Sequence, residues 1–332
     1  MCIDYEIPFN LLNRFLDEEK PCKILLHAPD GLKPLYSCVG KSIPSNIEVY
    51  YSSSPGYGAC DIPLWEAEAL GADSIVHIGH LEYPFTGLGS VGRRILYLPV
   101  YFNKLLGAAF LESLSKHLEA KGFAAVSVSS TIVEARIRSQ VGEYLSGKGF
   151  VIYEVKQPVL GCIYTPVAAL DEKVDAHLLI AGGLFHHLGA YLSLRKPLVS
   201  IDPYRQSIMD YSREFSKHLH KRFYLVSKVK NSSMRTLGII TGGLPGQHRP
   251  RLVEALKELA GRKGYEAYVI SSTYLTMDRL IAIDNSLKLD FYVVASCPRL
   301  PIDDLSNFYK PVLTPGELVM VLEGREEYVF PW

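Results

Sequence analysis

Three cysteines stand in loops rich in glycine or proline, each just after an apolar run. They are Cys60 in Pro55-Gly56-Tyr57-Gly58-Ala59-Cys60-Asp61, Cys162 in Pro158-Val159-Leu160-Gly161-Cys162, and Cys297 in Ala295-Ser296-Cys297-Pro298-Arg299. A thiolate is a soft metal ligand, and three of them suit either a zinc ion with an open fourth position or an iron-sulfur cluster with one iron left free of protein. The local cysteine triplets of ferredoxins are absent, as is the Cys-x3-Cys-x2-Cys loop of ordinary radical enzymes, so any cluster here is assembled from distant segments. Cys2, Cys22 and Cys38 lie at the terminus, before a strand and within a helical stretch, and are expected to be inert.

Other candidates sit in similar loops. His77 falls inside an apolar run and reads as a satisfied core residue, whereas His80 in the following loop and the pair His186-His187 after Gly182-Gly183 could touch a ligand or orient one. Gly242-Gly243-Leu244-Pro245-Gly246-Gln247 lies between a strand and a helix, where backbone amides can receive a carboxylate or phosphate. It matches neither Gly-x-Gly-x-x-Gly nor a P-loop. Arg299 offers a planar fork to a carboxylate. Loop position therefore marks Gly243, Gln247 and Arg299 as candidate cofactor-binding residues.

The elements that must position these residues are legible as apolar runs. Lys23 to Ala28, Ile47 to Tyr51, Ser74 to Ile78 and Arg94 to Leu98 read as buried parallel strands, separated by helical spacing such as Asp61 to Gly71. A helical stripe from Leu105 to Leu118 opens a second set, with runs at Ala124 to Val128, Phe150 to Tyr153, Ala176 to Ala181 and Pro197 to Ile201. A third set follows at Thr236 to Ile240, Glu266 to Ile270, Asp290 to Ala295 and Lys310 to Leu313. The opening strands recur at about hundred-residue intervals, which predicts one α/β unit used three times. The expected fold is three related domains, 1–103, 104–232 and 233–332, each a small parallel four-stranded sheet flanked by helices, arranged around a central site. Ligands in such units bind beyond the carboxyl ends of the strands. Cys60 and Cys162 both follow the second strand of their units, whereas Cys297 follows the third, so the repeat is imperfect at that position.

The chain has 332 residues, 48% hydrophobic and 21% charged, which excludes a disulfide-stapled miniprotein, wholesale disorder and a coiled coil. Thirty-five basic residues balance 35 acidic ones, so no global field favours nucleic acid. No leader-like start and no membrane-length apolar run occur, and the chain is read as cytoplasmic with no membrane partner.

Four motifs in order, Pro29-Asp30-Gly31-Leu32, Gly58-Ala59-Cys60-Asp61 with His77-Ile78-Gly79-His80, Gly161-Cys162, and Ser296-Cys297-Pro298-Arg299, resemble the archaeal diphthamide synthase family, 2-(3-amino-3-carboxypropyl)histidine synthase. The resemblance spans nearly the whole chain. It implies a homodimer in which Cys60, Cys162 and Cys297 hold a 4Fe-4S cluster, with S-adenosylmethionine as co-substrate. It further implies a noncanonical radical reaction: an electron from the reduced cluster, supplied by an electron donor the sequence does not identify, cleaves the bond from sulfur to the methionine γ-carbon. The resulting aminocarboxypropyl radical adds to a histidine imidazole carbon of elongation factor 2, the first step of diphthamide formation, and methylthioadenosine is left. Two other readings compete: an iron-sulfur dehydratase of the quinolinate synthase type, and a non-enzymatic zinc-containing binding protein.

Overall fold

Every apolar run becomes a strand. In the N-terminal third these are Lys23–His27, Glu48–Tyr51, Ser74–Ile78 and Arg94–Leu98, all parallel. The computed structural model describes residues 4–84 and 94–331, so Cys2 lies outside the described residues. The central strands read as unbroken apolar stretches because both sheet faces are covered: Ile24, Leu26, Val76 and Ile78 pack into one core, and Leu25 and Ile75 into another.

The same order recurs three times, the second strand in sequence lying beside the first, then the third, then the fourth. The middle sheet is built from Ala125–Ser130, Val151–Glu154, Ala176–Ile180 and Leu198–Asp202, and the C-terminal sheet from Thr236–Gly242, Glu266–Ser272, Phe291–Val294 and Val312–Leu313. One side-chain device marks the repeat more clearly than residue identity does. Asp73, Asp175 and Asp290 each precede the third strand and accept two backbone N–H groups at the start of the first: Cys22 and Lys23, Ala124 and Ala125, Arg235 and Thr236.

The middle sheet departs from the expected four strands. A fifth, Ser207–Met209, pairs antiparallel with Leu198–Asp202 at its edge. It has only three half-buried residues, too short for an alternation to register. A two-residue antiparallel ribbon joins Tyr5–Glu6 to Tyr101–Phe102, and Phe102 is buried in the middle core. The helix Ser212–Lys230 follows the middle sheet but sends Val226 and Val229 into the C-terminal core. It is fixed there by the fully buried pair Arg222–Glu317, with Arg222 Nε donating to Glu317 Oε1 at 2.7 Å. The stripe from Leu105 becomes the helix Ala108–Ala120, and the Asp61 to Gly71 stretch becomes the shorter helix Leu64–Leu70, stopped by Gly71 in the left-handed region. Among the described residues no helix is long and apolar enough to cross a membrane.

Candidate functional site

The carboxyl ends of the three sheets meet around a cavity of about 410 Å³, and Cys60, Cys162 and Cys297 all line it. Each is half-buried with a free thiol. Cys162 sits in a tight turn closed by reciprocal backbone hydrogen bonds between Leu160 and Ile163. Cys297 comes three residues after the end of Phe291–Val294, and its carbonyl accepts the Leu300 N–H. Cys60 is held from another unit: a Cβ at Gly246 would lie 2.4 Å from its Cα, so only glycine lets the turn after Thr236–Gly242 pack this closely. The glycine preceding Cys60 by two residues, Gly58, is under no such constraint, since its Cβ would come no nearer than 3.9 Å to the thiol.

The thiols share one electrostatic situation. Burial, followed by the charge of Cys297 and Cys162, raises Cys60, and burial followed by the charge of Cys162 pushes Cys297 up to about 11. Burial also raises Cys162, against the opposing pull of Tyr83, Arg249 and Arg299. Three such groups give up their protons together only when positive charge enters among them, which is what a bound metal centre supplies. Donors already surround them. Gln247 Nε2 lies 3.8 Å from Cys60 Sγ. The Tyr83 hydroxyl accepts from Arg249 Nη2 at 2.6 Å and lies 3.6 Å from Cys162 Sγ. Because arginine only donates, Tyr83 is the acceptor of that bond, and its hydroxyl lies within donating reach of the sulfur. Among the described residues no three His, Cys, Asp or Glu side chains are grouped closely enough to hold a single ion. Three thiols, one from each sheet, therefore fit a soft, thiophilic centre larger than a single ion.

The remaining sequence candidates divide. Arg299 is buried, stacks on Phe185 at 4.1 Å and ion-pairs with Asp303 (Nε to Oδ2, 2.9 Å), while its Nη1 has no hydrogen-bond partner. His186 also lines the cavity with an unpartnered Nδ1, and burial together with the Arg299 charge holds it down to about 3. His187 lies away from the cavity, its Nε2 donating to the Ala181 carbonyl. Gln247 lines the cavity but Gly243 does not: its N–H is committed to the Ser272 carbonyl at 3.0 Å, so the amide that would receive an anion is already used. Cys22 is exposed, and Cys38, expected to be an inert thiol, is disulfide-bonded.

Sequence reasoning missed Tyr83, Arg249 and the segment Thr273 to Met277, which lines the cavity beyond Glu266–Ser272. That segment follows the second strand of its unit, as the Cys60 and Cys162 loops do, and this equivalence was the signal available for it. Cys297 instead occupies the third-strand loop, where the other two units place His80 and His186.

Fold and site together define a three-sheet α/β protein with a thiol-lined central cavity. The family described as "Putative diphthamide synthesis protein" matches residues 28–329, and the chain belongs to that family. It is 28% identical to the 2-(3-amino-3-carboxypropyl)histidine synthase of Pyrococcus horikoshii, covering 98% of this chain and 93% of that one. It is 27% identical to subunit 1 of the human synthase, over 96% of this chain and 72% of that one. The crystal structure of Dph2 from Pyrococcus horikoshii with a 4Fe-4S cluster superposes with a TM-score of 0.80 at 26% identity, over 98% of this chain and 93% of that one.

Proposed function

We propose that this chain transfers the 3-amino-3-carboxypropyl group of S-adenosylmethionine to a histidine of elongation factor 2, the first step of diphthamide formation, with Cys60, Cys162 and Cys297 holding a 4Fe-4S cluster. The observation that carries this reading is the convergence of three thiols, one from each sheet, on one cavity. When bound, the cluster supplies the electron that opens the bond between sulfur and the methionine γ-carbon, by a radical route. Arg299, buried and with Nη1 unspent, takes the methionine carboxylate, and Gln247, whose Nε2 lies 3.8 Å from the Cys60 sulfur, borders the same cavity. Walls drawn from three units exclude water, which protects a reactive carbon radical. In this reading the segments 1–103, 104–232 and 233–332 are the three domains, two copies form a homodimer, a separate electron donor serves the cluster, and the protein works in the cytoplasm.

The test begins with anaerobically purified protein, its visible spectrum before and after dithionite, and iron and labile sulfide counted on the same sample. A brown absorption bleached by dithionite, followed by methylthioadenosine release with S-adenosylmethionine and elongation factor 2, supports the assignment. Zinc without sulfide, even after attempted cluster reconstitution, overturns it.

A further inference from the structure

Three histidines form a hydrogen-bonded chain that ends in the cavity. His27 Nε2 lies 3.3 Å from the Pro55 carbonyl oxygen, His27 Nδ1 lies 2.9 Å from His77 Nδ1, and His77 Nε2 lies 2.9 Å from His80 Nδ1. His27 and His77 are fully buried, while His80 lines the cavity. Gly79, at φ +101°, makes the reversal that stacks the His80 ring on that of His77, with centroids 5.1 Å apart and planes 16° apart.

The directions of these bonds follow from counting protons. A carbonyl only accepts, so His27 carries its proton on Nε2, and its Nδ1 must accept. His77 therefore donates from Nδ1 and accepts on Nε2, and His80 donates from Nδ1. Three neutral imidazoles hold three N–H groups, and the chain uses all three. Burial keeps every member neutral, since it lowers each histidine below its ordinary range. We infer that the Pro55 carbonyl, through His27 and His77, fixes the tautomer of His80 so that its bare Nε2 stands in the cavity as an obligate acceptor for an N–H donor of a substrate. His80 is the ligand-contacting residue; His27 and His77 are positioning residues. The inference rests on the proposed function for its ligands. There, two N–H donors enter the cavity: the ammonium of the amino-acid end of S-adenosylmethionine, and the ring N–H of the target histidine.

The test uses the full-length protein labelled with 15N-histidine and handled anaerobically. Long-range proton-nitrogen correlations, assigned with single His→Gln variants, should place the proton of His27 on Nε2 and those of His77 and His80 on Nδ1. A proton on His80 Nε2 overturns the inference. In His27→Leu the acceptor for His77 is gone and His80 should populate both tautomers; an unchanged His80 in the folded variant overturns the positioning role. Should that variant fail to fold, the wild-type spectrum alone decides. S-adenosylmethionine, its analogue with hydroxyl in place of amino, and a peptide bearing the target histidine are then added separately. A His80 Nε2 shift with S-adenosylmethionine but not the analogue assigns the ammonium, a shift with the peptide alone assigns the imidazole, and no shift overturns the ligand role. Affinity for the assigned ligand should fall about tenfold in His80→Leu and return in His80→Gln, whose amide oxygen can accept. Methylthioadenosine release without any His80 shift defeats this inference alone. Correct tautomers in a protein that assembles no cluster defeat the proposed function alone.

Discussion

The first and middle sheets each carry a histidine hydrogen-bonded across two neighbouring strands, and the two arrangements end in different places. His27 and His77 are opposite one another in register, and their chain runs out to His80 at the cavity. Ser127 and His177 are likewise opposite in register, with Ser127 Oγ 2.6 Å from His177 Nδ1, but His177 Nε2 then meets Asp171 Oδ1 at 2.7 Å and the chain stops. The offset is small. His27 lies four residues past Lys23, and Ser127 only two past Ala125, the residues whose N–H groups the repeated aspartates bind. Two residues deeper in the sheet, the serine is buried and does not line the thiol cavity, so a serine, a histidine and an aspartate in contact make a structural clasp rather than a hydrolytic site. The same polar groups serve the fold where both ends are closed and serve chemistry where one end is open.

The contrast is breakable. The largest expected effect belongs to the cavity: Cys60→Ala, Cys162→Ala and Cys297→Ala should each lower cluster content and cut turnover at least about a hundredfold, whereas Cys22→Ala, away from the cavity, should change neither. Full cluster and turnover in all three would remove the shared site on which the comparison stands. Asp171→Ala should do the opposite, costing about 2–3 kcal/mol in chemical denaturation because it strands a buried imidazole N–H, while leaving room-temperature turnover within about twofold. Lost turnover in a folded Asp171→Ala protein would mean that the middle clasp also serves the reaction.

Acid sharpens the comparison. Burial takes His80 down to about 4 and lowers His77 and His177, so between the ordinary histidine value of 6.5 and these folded values the unfolded chain binds more protons. Stability is therefore complete above about pH 6.5 and declines as pH falls toward about 4, by at most about 1.4 kcal/mol per pH unit per histidine. Thermal melts of His80→Gln across that range should show a shallower decline than wild type, and an equal slope would place the titration elsewhere. The smallest effect is that of Ser127→Ala, about 1 kcal/mol in the same denaturation assay, because His177 keeps its Asp171 partner.

How legible each part was depends on how far its cause reaches along the chain. Ser74–Ile78 begins and ends where the apolar run does, since burial on both faces writes itself into consecutive residues. Ser207–Met209 escaped because an edge strand of three residues owes its existence to a neighbour. Cys60 and Cys162 were visible as strand-end cysteines. Tyr83 and Arg249 were not, because each acquires its role from the other across 166 residues. Gly243 was singled out for its local setting and proves committed to Ser272, while Gly246, three residues on, is the glycine that the packing against Cys60 requires.

By itself, then, the sequence determined three α/β units, the parallel strands that build them, and loops presenting thiols, imidazoles and a guanidinium at the strand ends. These follow from periodicity and residue chemistry, which act over a few residues. Only the tertiary structure decided that three thiols face one cavity, that Arg299 keeps an unspent donor there, and that His27, His77 and His80 line up as one hydrogen-bonded chain ending in it. Hydrogen-bond direction is a property of a whole chain of partners. Those partners are brought together by sheets packing on one another, and no local pattern encodes that contact.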